Sequence, residues 1–145
     1  MANISSSLEL ISASAAIPQG RLGLPLYLTP VEAGFPSPAE DYLDRRLDLH
    51  QHLVRNEAAT FFLRAHGESM LGAGIHDGDL LIVDRSIEPA HRKVVIAALD
   101  GELTVKRLLH REGRVFLAPE NPQFEPIDIT ESEFVHIWGV VTYVV

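Results

Sequence analysis

The sequence predicts a mostly β protein, a compact twisted β-fold with one short helix and an extended N-terminal arm. Three observations carry this. Past Thr60 the chain breaks into short apolar or alternating runs, at residues 61–65, 80–83, 94–99, 103–109, 115–118 and 134–145, with Gly, Pro and Asp between them. Asp100-Gly101, between the third and fourth runs, is a two-residue hairpin signal because both residue types tolerate positive φ. Helix-start chemistry stands out at one place, Asp48. No repeat period is visible, and 145 residues with 46% hydrophobic content suit one globular domain plus a short arm.

Residues 1–30 have the weakest pattern. Ser5-Ser6-Ser7, Pro18, Gly20, Gly23, Pro25 and Pro30 punctuate short apolar pieces, which reads as a mobile arm. Residues 8–16, with Ala13-Ser14-Ala15, have some features of a secretory signal. Against it, the first eight residues hold no Lys or Arg, and Glu9 and several serines interrupt the apolar run. In residues 31–38 the prolines Pro36 and Pro38 push Phe35 and Ser37 toward extended backbone. Such a segment can lie along a sheet edge, and small Ala33 and Gly34 would let a side chain approach the bond between them. The residues alone favour a plain Pro-rich linker.

Asp48-Leu-His-Gln51 reads as a capping box that opens a short helix through about Arg55, with Leu49, Leu53 and Val54 on its apolar side. The final run, ending in Val144-Val145, reads as a buried or interface strand.

Composition excludes several functions. A formal charge of −8, with basic residues in scattered pairs such as Arg45-Arg46 and Lys106-Arg107, argues against a surface that holds nucleic acid directly. With no cysteines, disulfide and thiolate-metal sites are excluded, which fits a reducing cytoplasm. No run approaches the roughly 18 apolar residues that a membrane span requires. The seven histidines lack H-x-x-x-H spacing, and Asp77-Gly78-Asp79 lacks the other ligands of a calcium loop, so no metal or cofactor is expected.

One stretch is chemically specific. The apolar run 61–65 breaks at Gly67, Ser69 and Met70 follow in a Gly-punctuated loop, and His76-Asp-Gly-Asp79 turns into the next run. Strand, tight loop with one serine, strand can hold a hydroxyl rigidly at a surface. By itself Ser69 reads as a turn or cap residue. Lys106 lies inside residues 103–109, where its face would be shared with Thr104 and Leu108. Read alone it is an edge-strand charge. A Ser-Lys pair is nonetheless a known variant of the nucleophile–base arrangement, provided burial keeps the amine neutral. His66 with Asp77 or Asp79 offers a Ser-His-Asp alternative. A histidine fixed by its own backbone so near Ser69 cannot easily lie opposite it.

Gly67-Glu-Ser-Met70, Asp77-Gly-Asp-Leu-Leu-Ile-Val-Asp84 and Asp100-Gly-Glu-Leu-Thr-Val-Lys106 together resemble the LexA-like self-cleaving serine peptidases. Ala33-Gly-Phe-Pro-Ser-Pro-Ala-Glu-Asp-Tyr42 narrows the resemblance to the UmuD branch, and it covers roughly residues 31–145. It implies a LexA-like peptidase β-fold, with Ser69 as nucleophile and Lys106 as base. It also implies an oxyanion hole from the backbone amides of Glu68 and Ser69, and cleavage between Ala33 and Gly34. The arm, 1–33, would be removed from a peptidase domain, 34–145. Further implications are a cytoplasmic homodimer, cleavage stimulated by RecA filaments on single-stranded DNA in the SOS response, and a UmuC-like Y-family polymerase as partner in error-prone translesion synthesis. No direct sequence-specific DNA binding and no membrane are implied. Three rivals differ in kind. A LexA-type repressor would need a DNA-binding domain before the cleavage site, a signal peptidase would need an anchor, and a non-catalytic β module would only bind partners.

Overall fold

The computed structural model describes residues 8–10, 23–28, 30–35 and 43–145, and these fall into two compact units. The larger unit contains strand β1 (Leu8–Leu10) and everything from Asn56 onward. Its strands are β4 (Thr60–Ala65), β5 (Leu80–Asp84), β6 (Val94–Leu99), β7 (Glu102–Arg111), β8 (Arg114–Ala118), β9 (Ile127–Asp128) and β10 (Val135–Val144). They form one antiparallel sheet in the order β1-β4-β5-β10-β6-β7-β8-β9. The mostly β reading holds, and all six apolar runs past Thr60 are strands whose ends differ by no more than a few residues.

Apolar side chains fill both faces of this sheet. Leu63, Ala65, Met70, Ile75, Leu81, Val83, Ile96 and Val105 form one cluster. Val95, Ala97, Leu99, Leu108, Leu117 and Val140 form the other. The period of two along a strand explains the division: in β6, Ile96 faces one cluster while Val95, Ala97 and Leu99 face the other. β10 lies between β5 and β6 with a register shift on each ladder, as an inserted bulge residue produces. At Gly139, beside one bulge, a Cβ would sit 2.6 Å from Val83 Cγ1, so any side chain there would force the buried Val83 to shift.

Turn chemistry sets the hairpins. Asp100 (φ 50°) and Gly101 (φ 83°) make the expected two-residue turn between β6 and β7. Glu112 (φ 50°) and Gly113 (φ 77°) repeat it between β7 and β8, a turn that Glu-Gly marks less plainly than Asp-Gly does. These two hairpins hold β7 rigidly between neighbours, with Val95 opposite Lys106 and Ala97 opposite Thr104.

The smaller unit, residues 16–55, contains β2 (Leu24–Tyr27) paired antiparallel with β3 (Leu43–Leu47), then helix α1 (Leu49–Leu53). Asp48 caps α1 by accepting from the His50 amide at 3.0 Å, and Val54 is already extended, so the helix stops short of Arg55. Reading residues 1–30 wholly as a mobile arm is corrected at Leu8–Leu10 and Leu24–Tyr27. Both gain ladder partners far away in sequence, Leu63–Ala65 and Leu43–Leu47. Ala33, Gly34 and Phe35 form an exposed bend instead of a straight run. The signal-like segment beyond Leu10 and the proline-rich part from Pro36 to Tyr42 lie outside the described residues.

Candidate active site

β7 and the loop after β4 bring Lys106 and Ser69 together. Lys106 Nζ lies 3.0 Å from Ser69 Oγ, 3.0 Å from Thr104 Oγ1 and 3.1 Å from the Val105 carbonyl oxygen. Ser69 is 2% exposed and Lys106 5%. Thr104 reaches the amine because residues two apart on a strand share a face. The apolar side chains beside them, with Val95 directly opposite, remove water from the amine. Desolvation lowers the Lys106 pKa from 10.5 to about 8.

The three contacts suit both protonation states. An ammonium donates to Ser69 Oγ, Thr104 Oγ1 and the Val105 carbonyl. A neutral amine keeps two N–H groups for Thr104 and Val105 and turns its lone pair to the Ser69 hydroxyl. That is the geometry a general base needs.

The serine loop is held by backbone and side-chain bonds from three directions. Gly67 (φ 91°) turns the chain out of β4, and its amide donates to Asp77 Oδ1 at 2.7 Å. Gly78 donates to the Ala65 carbonyl at 2.7 Å, and the Ala65 amide donates to the Asp79 carbonyl at 2.8 Å. Asp77-Gly-Asp79 is thus a turn, as its sequence implies, and it braces the loop. Met70 is buried in the first cluster below it. From the opposite side the segment after β8 closes in. The Asn121 side-chain amide donates to the Glu68 carbonyl at 2.8 Å, Glu120 N donates to the Ser69 carbonyl at 2.8 Å, and Gly72 N donates to the Glu120 carbonyl at 2.6 Å. Arg107, next to Lys106, forms an ion pair with the Glu120 carboxylate.

Of the residues that the sequence points to, Glu68, Ser69 and Lys106 lie at this site. Ala33 and Gly34 lie in the smaller unit, both exposed, and a Cβ added at Gly34 would meet nothing within 4 Å. His66 Nδ1 stands 3.6 Å from Asp77 Oδ1, with both side chains substantially exposed, while the buried Lys106 amine lies 3.0 Å from Ser69 Oγ. Thr104, Glu120 and Asn121 join the site without being sequence candidates. Thr104 has a usable signal, since it precedes Lys106 by two on a strand. Pro119-Glu-Asn-Pro122 reads only as a turn. Among the described residues no group of three or more His, Asp or Glu is placed to hold a metal, and no helix is long and apolar enough to cross a membrane.

Residues 25–142 match the family described as Peptidase S24-like. The chain is 49% identical to Protein MucA of Salmonella typhimurium over 121 residues, covering 83% of this chain and 82% of that one. It is 50% identical to Protein ImpA of Salmonella typhimurium over 123 residues, with 83% and 82% covered. LexA repressor 1 of Geobacter sulfurreducens is 39% identical over 103 residues, which span 71% of this chain and half of the repressor.

Proposed function

This chain belongs to the Peptidase S24-like family of serine peptidases, in its UmuD-like branch, and from that premise we propose that it cleaves its own Ala33–Gly34 bond. The observation that carries the reading is the buried 3.0 Å contact between Ser69 Oγ and the desolvated amine of Lys106. A serine hydroxyl is a weak nucleophile until a base accepts its proton.

In the proposed reaction, neutral Lys106 takes the Ser69 proton as Oγ bonds to the Ala33 carbonyl carbon. The resulting oxyanion accepts from the amides of Glu68 and Ser69, donors that need no reorganisation. Collapse breaks the Ala33–Gly34 C–N bond, and the Lys106 ammonium returns its proton to the Gly34 nitrogen. Water, deprotonated by Lys106, then attacks the Ser69 ester. Collapse breaks the bond from the Ala33 carbonyl carbon to Oγ, Lys106 returns the proton to Oγ, and the arm leaves with Ala33 as its new C-terminal acid, which ionises. The products are the arm, residues 1–33, and a shortened chain, residues 34–145.

Likeness to the UmuD branch, and to Protein MucA and Protein ImpA, supports the biological setting. RecA filaments on single-stranded DNA stimulate the cleavage during the SOS response. The shortened chain, a homodimer in the cytoplasm, then joins a UmuC-like Y-family polymerase in translesion synthesis. A net charge of −8 supports contact with those proteins in place of direct contact with DNA. The test is to mix the purified protein at neutral pH with RecA filaments on single-stranded DNA and follow the fragment beginning at Gly34. Faster fragment release, absent without filaments and in Ser69→Ala, supports the reading. An unchanged rate sinks the SOS assignment.

A further inference from the structure

The candidate oxyanion donors are backbone amides, so their aim depends on whatever fixes the peptide planes around Ser69. The Glu68 carbonyl and the Ser69 N–H belong to one planar trans unit and point in opposite senses. Holding the carbonyl oxygen therefore holds the direction of the N–H. Asn121 Nδ2 donates to that oxygen at 2.8 Å across 53 residues of sequence, while the Leu71 amide reaches it at only 3.4 Å.

The chemistry of Asn121 is specific. Its Oδ1 accepts from the Gln123 amide at 3.0 Å, a partner that can only donate, and its Nδ2 faces a carbonyl that can only accept. The orientation of the side-chain amide is thus fixed by its neighbours, and neither aspartate nor alanine could make both bonds. The next peptide plane is fixed from the same segment, through Glu120 N to the Ser69 carbonyl at 2.8 Å. Glu120 is in turn paired with Arg107, the residue after Lys106. The segment between β8 and β9 thus ties the strand that carries the base to the loop that carries the nucleophile.

We infer that Asn121 is a positioning residue for the self-cleavage: its side-chain amide holds the Glu68–Ser69 peptide so that the Ser69 N–H points at the developing oxyanion. This rests on the Ser-Lys reading above.

Asn121→Asp is the diagnostic change, because it keeps the oxygen that accepts from Gln123 and removes the donor to Glu68. Self-cleavage of the full chain is followed across pH, with thermal midpoints and hydrogen exchange of the Ser69 amide measured alongside. A misplacement of about 1 Å at a reacting centre costs about a hundredfold, so the plateau rate of both Asn121→Asp and Asn121→Ala falls about 10- to 100-fold. The pH midpoint of Asn121→Ala stays that of the wild type, both variants still melt cooperatively, and the Ser69 amide exchanges faster. A wild-type plateau rate in Asn121→Asp overturns the inference while leaving the dyad intact. A loss confined to Asn121→Ala assigns the effect to the turn at Gln123 and overturns it also. A wild-type chain that never cleaves overturns both the dyad and this inference.

Discussion

Lys106 stands directly across the β6–β7 ladder from Val95, a residue with no exposed surface. Opposed side chains on antiparallel strands share a face and lie about 5 Å apart. A strand amine that would normally be hydrated therefore meets aliphatic carbon, which explains why its pKa is lowered to about 8 by desolvation.

The first consequence is kinetic. At pH 7 about one Lys106 amine in ten is neutral with a pKa near 8, against about one in three thousand for an unshifted lysine. The self-cleavage rate is expected to rise about tenfold per pH unit below 7.5, bend near 8 and level off above 9. A pH–rate profile of fragment formation checks this, and a midpoint above 10 would contradict burial as the activating device.

A second consequence concerns stability. Between about pH 8 and 10.5 the unfolded chain holds a proton on Lys106 that the folded chain has lost, so stability attributable to this group increases as pH rises through that window. The full effect is on the order of 3 kcal/mol at 1.36 kcal/mol per unit. Relative to Lys106→Met, which cannot titrate there, the wild type should gain thermal stability between pH 7.5 and 10. Parallel curves for the two proteins would show that Lys106 titrates normally.

Thr104 tunes the amine. Its hydroxyl, 3.0 Å from Nζ, accepts more strongly from an ammonium than from a neutral amine. Thr104→Val keeps the shape and removes that acceptor, so the charged form loses more. The midpoint of the pH–rate profile should shift about half a unit or more toward acid. A shift toward alkali would mean that the hydroxyl serves the neutral base instead.

Much of this architecture is legible in the amino-acid sequence. The strands past Thr60 announce themselves because each packs against a buried cluster, which leaves an apolar or alternating record in Leu81, Val83, Ile96 and Val105. Asp100-Gly101 marks its own turn because the required φ angles are local. Ser69 and Lys106 need the family resemblance, since neither a serine in a loop nor a lysine in a strand is distinctive. β1 and the β2–β3 pair leave no such record. Leu8–Leu10 and Leu24–Tyr27 are short, and what makes them strands is a ladder partner remote in sequence. The role of Asn121 is equally hidden, because the carbonyl it holds is 53 positions away and carries no side-chain signature.

Gly72 tests how closely the segment after β8 must approach the serine loop. A Cβ there would sit 2.7 Å from the Glu120 backbone oxygen, which cannot swing aside as a side chain could. Gly72→Ala should cost about 1–3 kcal/mol of stability by overpacking and slow cleavage at every pH without moving the midpoint. Full activity with an unchanged melting temperature would show that the loop accommodates the methyl and that the close approach is incidental.

Whether Ser69 and Lys106 cut the Ala33–Gly34 bond is read by intact mass. The purified full chain is held alone at about pH 10, where an amine with a pKa near 8 is almost wholly neutral, beside Ser69→Ala and Lys106→Ala. A fragment beginning at Gly34 is expected to accumulate over hours in the wild type and in neither variant. No fragment from the wild type, or equal cleavage in the variants, would contradict it.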